Sequence, residues 1–264
     1  FGGRPPLIAA DGTVYSHVYG SGFVALEPDG GEFLWTLLDV PGTFTGMALG
    51  AHQVIYGAVG NELRAVSGID GAVLWTTALA AYEGAQLQGP VLAGGGTVIV
   101  VAPGNALPGT GVYGIDPESG AQTWFCAGDP PGALALGASD WIYYVDGENV
   151  VAADPLNNAA CPARWTLPID STAVPGITTA QELLVGDDET VFVMVPSFGV
   201  IAARNDTLLW IWSGHAPTQM LIGDGGVLYV GTFDGRVVGL DGATGTPVFH
   251  TVAGYGDAIS GMAL

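Results

Sequence analysis

The sequence contains no lysine and only five arginines, against 25 aspartates and glutamates, which leaves a formal charge of −20. A chain this short of positive charge cannot gather the Lys/Arg clusters that neutralise phosphates, which argues against nucleic acid as a partner. The same deficit argues against adhesion to an anionic membrane surface. The surplus of acid has a plain role in solubility and a second one in attracting cations or basic partners. No stretch of about 18 apolar residues runs free of glycine or polar breaks, so no membrane-spanning helix is expected. A charged segment followed by an apolar core is missing from the start, and the chain begins at Phe1. It therefore reads as a mature or trimmed product with no signal peptide retained. Sustained 3.6-residue periodicity is also missing, so helices are not the expected building block.

Catalytic signatures are equally scarce. The four histidines, His17, His52, His215 and His250, are scattered without metal-ligand spacing. There is no Gly-x-Ser-x-Gly elbow, no phosphate-binding loop and no His-x-x-x-His. Asp187-Asp188-Glu189 and Asp224 fall in turns, but no Asp-x-Asp-x-Asp-Gly loop gathers the convergent oxygens that a hard cation needs. A solvated turn is the expectation there. Asn205-Asp206-Thr207 fits the glycosylation pattern and reads as chance. The two cysteines, Cys126 and Cys161, cannot build a zinc site alone.

What the sequence does have is turn residues and apolar residues. It holds 43 glycines and 17 prolines in 264 residues, with 49% hydrophobic residues, which suits a turn-rich fold with a sizeable core. Trp35, Trp75, Trp124, Trp165 and Trp210 recur at intervals of 40, 49, 41 and 45, and Phe249 follows after 39. Each closes a similar segment, such as Ala25-Leu-Glu-Pro-Asp-Gly-Gly31-Glu-Phe-Leu-Trp35 and Gly114-Ile-Asp-Pro-Glu-Ser-Gly120-Ala-Gln-Thr-Trp124. The first position of the segment is always Ala or Gly: Ala25, Ala65, Gly114, Ala152, Ala202 and Gly239. It reads as a small surface for an indole. The glycine at the seventh position permits a tight turn. About ten residues earlier lies a strand ending in a large residue: Tyr15, Tyr56, Ile99, Tyr143, Phe192 or Tyr229. Asp-Gly and Gly-Gly turns separate the strands. A period of roughly 40 residues with four strands per unit is the signature of a β-propeller.

The segment Ala-x-Asp-x-x-Thr-Gly-x-x-x-Trp resembles the tryptophan-docking motif of the pyrroloquinoline-quinone-type (PQQ-like) propeller repeat. The resemblance spans nearly the whole chain. Two copies depart from it. Ala152 to Trp165 is three residues longer and Ala202 to Trp210 two shorter, with Trp212 restoring the spacing. The resemblance implies an all-β propeller of four-stranded antiparallel blades, with six repeats at about 6–45, 46–88, 89–131, 132–175, 176–219 and 220–257 in a single domain. Residues 258–264 echo Thr45-Gly-Met-Ala-Leu49 and read as the start of an extra innermost strand, with seven or more blades if the natural chain is longer.

Quinoprotein enzymes of this family carry an adjacent cysteine pair and calcium-binding acids over a much longer chain, whereas this sequence has no Cys-Cys and is roughly half that size. The expectation is therefore a non-catalytic extracytoplasmic binding or scaffold propeller, bacterial, without a cofactor, catalytic residue or metal. Its partner would be a protein or the subunits of a larger assembly, with no nucleic acid and no membrane insertion. Alternatives are a fragment of a quinoprotein-like dehydrogenase or the sensor ectodomain of a receptor. Trp35, Trp75, Trp124, Trp165, Trp210 and Phe249 are expected to be structural docking residues, mostly buried. Ligands of such propellers meet loops that here include 36–45, 76–89, 102–111, 125–132, 166–176, 213–220 and 250–258, of which 102–111 is unusually long. Cys126 follows Trp124 on an outer strand, and Cys161 lies in the insertion of the fourth copy. A disulfide between them is expected at the rim, which would place the protein in an oxidising compartment.

Overall fold

The computed structural model describes residues 6–18, 22–38, 44–79, 86–104, 107–128, 134–154, 161–214, 216–252 and 258–259. These form six four-stranded antiparallel sheets, each made of four consecutive strands, the blades of an all-β propeller. Blade one holds β1 (Leu7–Ile8), β2 (Val14–Val18), β3 (Gly22–Leu26) and β4 (Phe33–Leu38). Blade two holds β5 (Phe44–Leu49), β6 (Val54–Val59), β7 (Glu62–Ser67) and β8 (Val73–Ala78). Blade three holds β9 (Gln88–Leu92), β10 (Val98–Ala102), β11 (Gly111–Ile115) and β12 (Gln122–Ala127). Blade four holds β13 (Leu134–Leu136), β14 (Ile142–Asp146), β15 (Asn149–Ala153) and β16 (Ala163–Pro168). Blade five holds β17 (Glu182–Val185), β18 (Val191–Val195), β19 (Gly199–Arg204) and β20 (Thr207–Ser213). Blade six holds β21 (Pro217–Ile222), β22 (Val227–Thr232), β23 (Arg236–Asp241) and β24 (Pro247–Val252).

The chain divides into two compact units. The first is Phe1–Gly132 with Ala159–Cys161 and carries blades one to three; the second is Ala133–Asn158 with Pro162–Leu264 and carries blades four to six. The strand bounds adjust the repeat limits read from sequence, since β5 opens at Phe44 and β21 at Pro217. Of the expected extra strand, Ala258 and Ile259 are described, and neither is in a strand; residues 260–264 lie outside the described residues.

One row of side chains recurs in every blade. Tyr15 pairs with Ala25, and Ala25 with Trp35, across three adjacent strands. The same row reads Tyr56–Ala65–Trp75, Tyr143–Ala152–Trp165, Phe192–Ala202–Trp210 and Tyr229–Gly239–Phe249. Blade three substitutes Ile99 at its head. The small central residue leaves space for the two large rings to lean together over it. Tyr15 and Trp35 come within 6.1 Å between ring centres, Tyr56 and Trp75 within 5.8 Å, and Phe192 and Trp210 within 5.8 Å, tilted as aromatic pairs prefer. This row explains why the first position of the motif stays Ala or Gly. At Gly114 and Gly239 even a methyl group would collide with the ring opposite, Trp124 and Phe249 respectively.

The cores lie between neighbouring blades rather than within one sheet. Tyr15, Phe23, Ile55 and Val66 fill the seam of blades one and two; Tyr56, Leu63, Val100 and Ile115 fill that of two and three. In the second unit, Val145, Ile177, Val193 and Ile201 fill the seam of blades four and five, and Phe192, Met194, Met220 and Leu228 that of five and six. Each such side chain contributes about 1.5–3 kcal/mol on burial, so the seams are where most apolar stabilisation resides.

The glycine at the seventh motif position serves two ends. Gly71, Gly120 and Gly245 have φ of 75°, 71° and 69°, the left-handed backbone of the turn between third and fourth strands. A methyl group on each would also stand 2.6–2.7 Å from the indole of the preceding blade: Trp35, Trp75 and Trp210. Gly60 has φ 57° with open space around it, so it isolates the backbone effect. Gly60→Ala is expected to cost about 1–2 kcal/mol, the left-handed strain alone. Gly120→Ala is expected to cost about 1–3 kcal/mol more, because it overpacks the seam. Equal losses in urea unfolding would show that no ring presses on Gly120.

Candidate functional site

The outer-strand aromatics make directed contacts across the seams. Trp35 Nε1–H donates to the Gly68 carbonyl at 2.7 Å, Trp75 Nε1–H to Pro117 O at 3.0 Å and Trp210 Nε1–H to Gly242 O at 2.9 Å. In all three cases the acceptor is the fourth residue of the next blade's motif, and its seventh-position glycine lies under the ring. Each indole thus places its apolar face on a glycine and its one polar atom on a carbonyl, so ring burial leaves no unmet donor. The turn is presented by its own aspartate. Asp116 Oδ1 accepts from Ser119 N and Oγ, and Asp241 Oδ1 from Thr244 N and Oγ1. The Ser119 and Thr244 hydroxyls, with the backbone N–H groups beside them, hold both carboxyls below the usual carboxylate range.

Trp210 and not Trp212 occupies the docking position, because Trp210 is the residue opposite Ala202. The motif is short in blade five because Asn205 and Asp206, both at positive φ, make a tighter turn than the glycine version. The expectation that the docking aromatics are mostly buried needs correction. Trp124 and Trp210 are buried, with 5% and 9% exposure. Trp35, Trp75 and Trp165 are half-buried, and Phe249 is 40% exposed. For Trp35, Trp75 and Trp165 the reason is their place on the outermost strand, where the neighbouring blade covers one ring face and leaves the rim edge open. Trp165 packs with Tyr143 at 5.9 Å in the second unit. Trp124 Nε1 finds no acceptor among the described residues.

Cys126 and Cys161 are joined by a disulfide, with Cα atoms 5.3 Å apart and 35 residues between them in sequence. Cys126 stands two residues beyond Trp124 on β12, so the bond ties down the strand whose indole lacks a described acceptor. Of the long 102–111 loop, residues 105–106 lie outside the described residues. The rest is braced: Thr110 Oγ1–H is shared between Leu107 O and Gly128 O, and Tyr113 Oη–H donates to Gly109 O at 2.7 Å. Residues 39–43, 80–85, 129–132, 215 and 253–257 of the other expected ligand loops also lie outside the described residues.

The acidic turn 187–189 is not simply solvated. Glu189, at φ 62°, turns back on blade four, accepting from Tyr143 Oη, Ser139 N and Ser139 Oγ. Burial, with the Glu189 carboxylate next to it, raises the Tyr143 phenol above its ordinary range. Asp188 pairs with Arg204. Within the second unit a cleft of about 570 Å³ opens between the turns of blades five and six. Asp187, Asp188, Asp224 and Asp241 line it over an apolar floor of Phe192, Ile222 and Leu228. Among the described residues no three metal-ligating side chains converge. Below, on the innermost strand of blade five, Glu182 accepts from Met220 N–H at 2.7 Å. Burial raises its carboxyl above the ordinary value, outweighing that hydrogen bond. The sequence marked Glu189 only as part of an acidic turn and did not mark Glu182 or the carbonyl acceptors, although the acceptors share one motif position.

The sequence model of the family described as outer membrane protein assembly factor BamB matches residues 20–251. The chain belongs to the BamB family of PQQ-type propellers. No curated protein sequence is significantly similar to it. Solved structures share its fold at low identity. BamB from Moraxella catarrhalis is 17% identical with a TM-score of 0.66, the match covering 94% of this chain and 75% of that one. A streptogramin B lyase is 10% identical with a TM-score of 0.69, covering 93% and 81%. The computationally designed Ika8 protein is 13% identical with a TM-score of 0.74, covering 96% and 74%. These neighbours include an assembly factor, an enzyme and a design, so the likeness carries the blade architecture alone. No helix among the described residues of this BamB-family chain is long and apolar enough to cross a membrane.

Two outcomes follow for the chain. Glu182 has a folded pKa above its ordinary value near 4.5. Its charge therefore costs stability at neutral pH, and the cost disappears as pH falls through the folded pKa. Glu182→Gln keeps an oxygen for Met220 N–H and is expected to raise the melting temperature at pH 7, the gain shrinking towards pH 4. A lower melting temperature at pH 7 would contradict this. Replacing Cys126 and Cys161 by alanine is expected to cost about 3–4 kcal/mol in the chain-entropy account of a loop this size. Unchanged urea unfolding would mean that the bond closes nothing that the fold does not already hold.

Proposed function

We propose that this protein is a non-catalytic extracytoplasmic scaffold that holds a protein partner against the rim of its blades. The observation that carries the reading is where the exposed apolar side chains lie. Of the fourteen large exposed apolar residues among those described, ten are on outer strands: Phe33 and Leu34 on β4, Val73 and Leu74 on β8, Leu208, Leu209 and Ile211 on β20, and Val248, Phe249 and Val252 on β24. A soluble surface rarely concentrates apolar side chains on unpaired strand edges without a partner to cover them. Membership of a family described by outer membrane protein assembly supports a binding role. The Cys126–Cys161 bond supports an oxidising, extracytoplasmic setting. The partner is expected to meet this strongly acidic chain with neutral or basic groups, since like charges would oppose association.

Site-specific photocross-linking in the native cell envelope tests the reading. A photoreactive residue at Leu209 or Leu74 is expected to yield one defined protein adduct, and one at Glu118, in a braced polar turn, to yield none. Adducts of equal strength at all three positions would contradict a rim site. Reduction of an artificial electron acceptor by purified protein supplied with quinone, calcium and an alcohol or sugar would replace this reading with a quinoprotein dehydrogenase.

A further inference from the structure

The seam between blades five and six lacks a polar bridge that another seam shows complete. At the seam of blades one and two, Tyr15 Oη–H is shared between Gly68 O and Gln53 Oε1, both at 3.3 Å, and Gln53 Nε2–H donates to Asp11 Oδ2 at 2.7 Å. Tyr56 and Tyr143 likewise reach across their seams, to Pro117 O and to Glu189. The matching positions in blades five and six are identified by the same hydrogen bonds. Gly68 N–H donates to Gln53 O and Gly242 N–H to Gly226 O, while Thr13 N–H donates to Asp11 and Thr190 N–H to Asp188. Phe192 takes the place of Tyr15, opposite Ala202 as Tyr15 is opposite Ala25. The bridging hydroxyl and amide are both missing, because phenylalanine and glycine stand where blades one and two have tyrosine and glutamine. Asp188, Phe192, Gly226 and Gly242 all line the cleft of about 570 Å³, which opens where the bridge would lie.

We propose that this cleft receives an arginine side chain of a protein partner. The inference takes from the scaffold reading only that the arginine belongs to a protein. The apolar floor of Phe192, Ile222 and Leu228 suits the aliphatic stem, and the aromatic ring in it favours a guanidinium. The charge on the walls selects the head group. Asp188 is paired with Arg204, and Asp241 Oδ1 is taken up by its own turn. Asp187 and Asp224 are exposed, and neither carboxylate has a partner among the described residues. Arginine fits better than lysine. Its guanidinium is more weakly hydrated, so it costs less to strip over an apolar floor, and its fork of donors can serve two carboxylates.

NMR titration of the full chain with the blocked peptide acetyl-Ala-Ala-Arg-Ala-Ala-amide tests this. The amide signals of Gly186 and Gly226 are expected to shift and to saturate in the millimolar range. The citrulline counterpart, alike in shape and uncharged, is expected to bind about tenfold more weakly, the worth of a charge-assisted hydrogen bond. Salt is expected to weaken the arginine peptide alone. Asp187→Asn combined with Asp224→Asn alters only exposed side chains and is expected to weaken that peptide by about tenfold as well. Phe192→Tyr combined with Gly226→Gln rebuilds the bridge. Gln53 already holds φ 57° at the matching position, near the 75° of Gly226, and a methyl group on Gly226 meets nothing within 4 Å. This second variant is expected to abolish binding without lowering the melting temperature. Equal binding of the citrulline peptide, full binding by either double variant, or no shift at all overturns the proposal. Agmatine binding more tightly than the peptide overturns the protein source and marks a site for a free cationic amine. These titrations need no native partner, so their failure leaves the rim cross-links standing, and missing cross-links at Leu209 or Leu74 leave the cleft standing.

Discussion

An aromatic ring on the outer strand of one blade, resting on a left-handed glycine of the next, sets the terms for most of the sequence. The ring has to reach out of its own sheet, so the residue beside it must be alanine or glycine. The next blade must bring its third-to-fourth turn under the ring, so that turn is short and contains a glycine, and in blades three and six it opens with an aspartate. The indole N–H must end on a carbonyl, which fixes the acceptor at the fourth position. Gly68, Pro117 and Gly242 fill that role with unrelated side chains because only their backbone is used. Apolar burial then follows, since a blade held at this angle closes its inner face over the neighbour's second and third strands.

The repeat was legible because this contact constrains several positions at fixed spacing. The same spacing misleads where the turn changes. In blade five the eye is drawn to Trp212, yet pairing with Ala202 selects Trp210, because a two-residue Asn205-Asp206 turn replaces the longer one. Burial of the docking rings was overestimated for a reason of shape. Blades diverge towards the rim, so a ring there is covered on one face and open at its edge. The contacts of Glu189 and Glu182 left no trace in the sequence, since each acts on a neighbouring blade through a single hydrogen-bond cluster. An acidic turn looks alike whether it faces water or reaches back to a tyrosine.

The outer strand of blade three departs from this scheme. Trp124 has no acceptor among the described residues. The disulfide fastens the same outer strand, two residues away. A covalent bond and a docked indole are different solutions to one requirement, that the outer edge of a blade be fixed to something beyond itself. The apolar outer strands extend this theme to function. In the proposed scaffold role, a rim that already uses aromatic and aliphatic side chains to hold one blade to the next would offer the same chemistry to a protein partner.

The central claim is that ring and glycine act as one contact across a seam, and a double-mutant cycle between Trp35 and Gly71 measures it. Gly71→Ala in the wild type brings a methyl group to within 2.7 Å of the Trp35 ring. With Trp35→Ala in place the obstacle is gone, and only the backbone strain remains. Urea unfolding of the four proteins is expected to give a coupling energy of about 1–3 kcal/mol, with Gly71→Ala far less damaging in the Trp35→Ala background. The same cycle with Gly60 in place of Gly71 is expected to be additive. Additivity within about 0.5 kcal/mol between Trp35 and Gly71 would show that the two residues do not meet, and that the seams are held by something else.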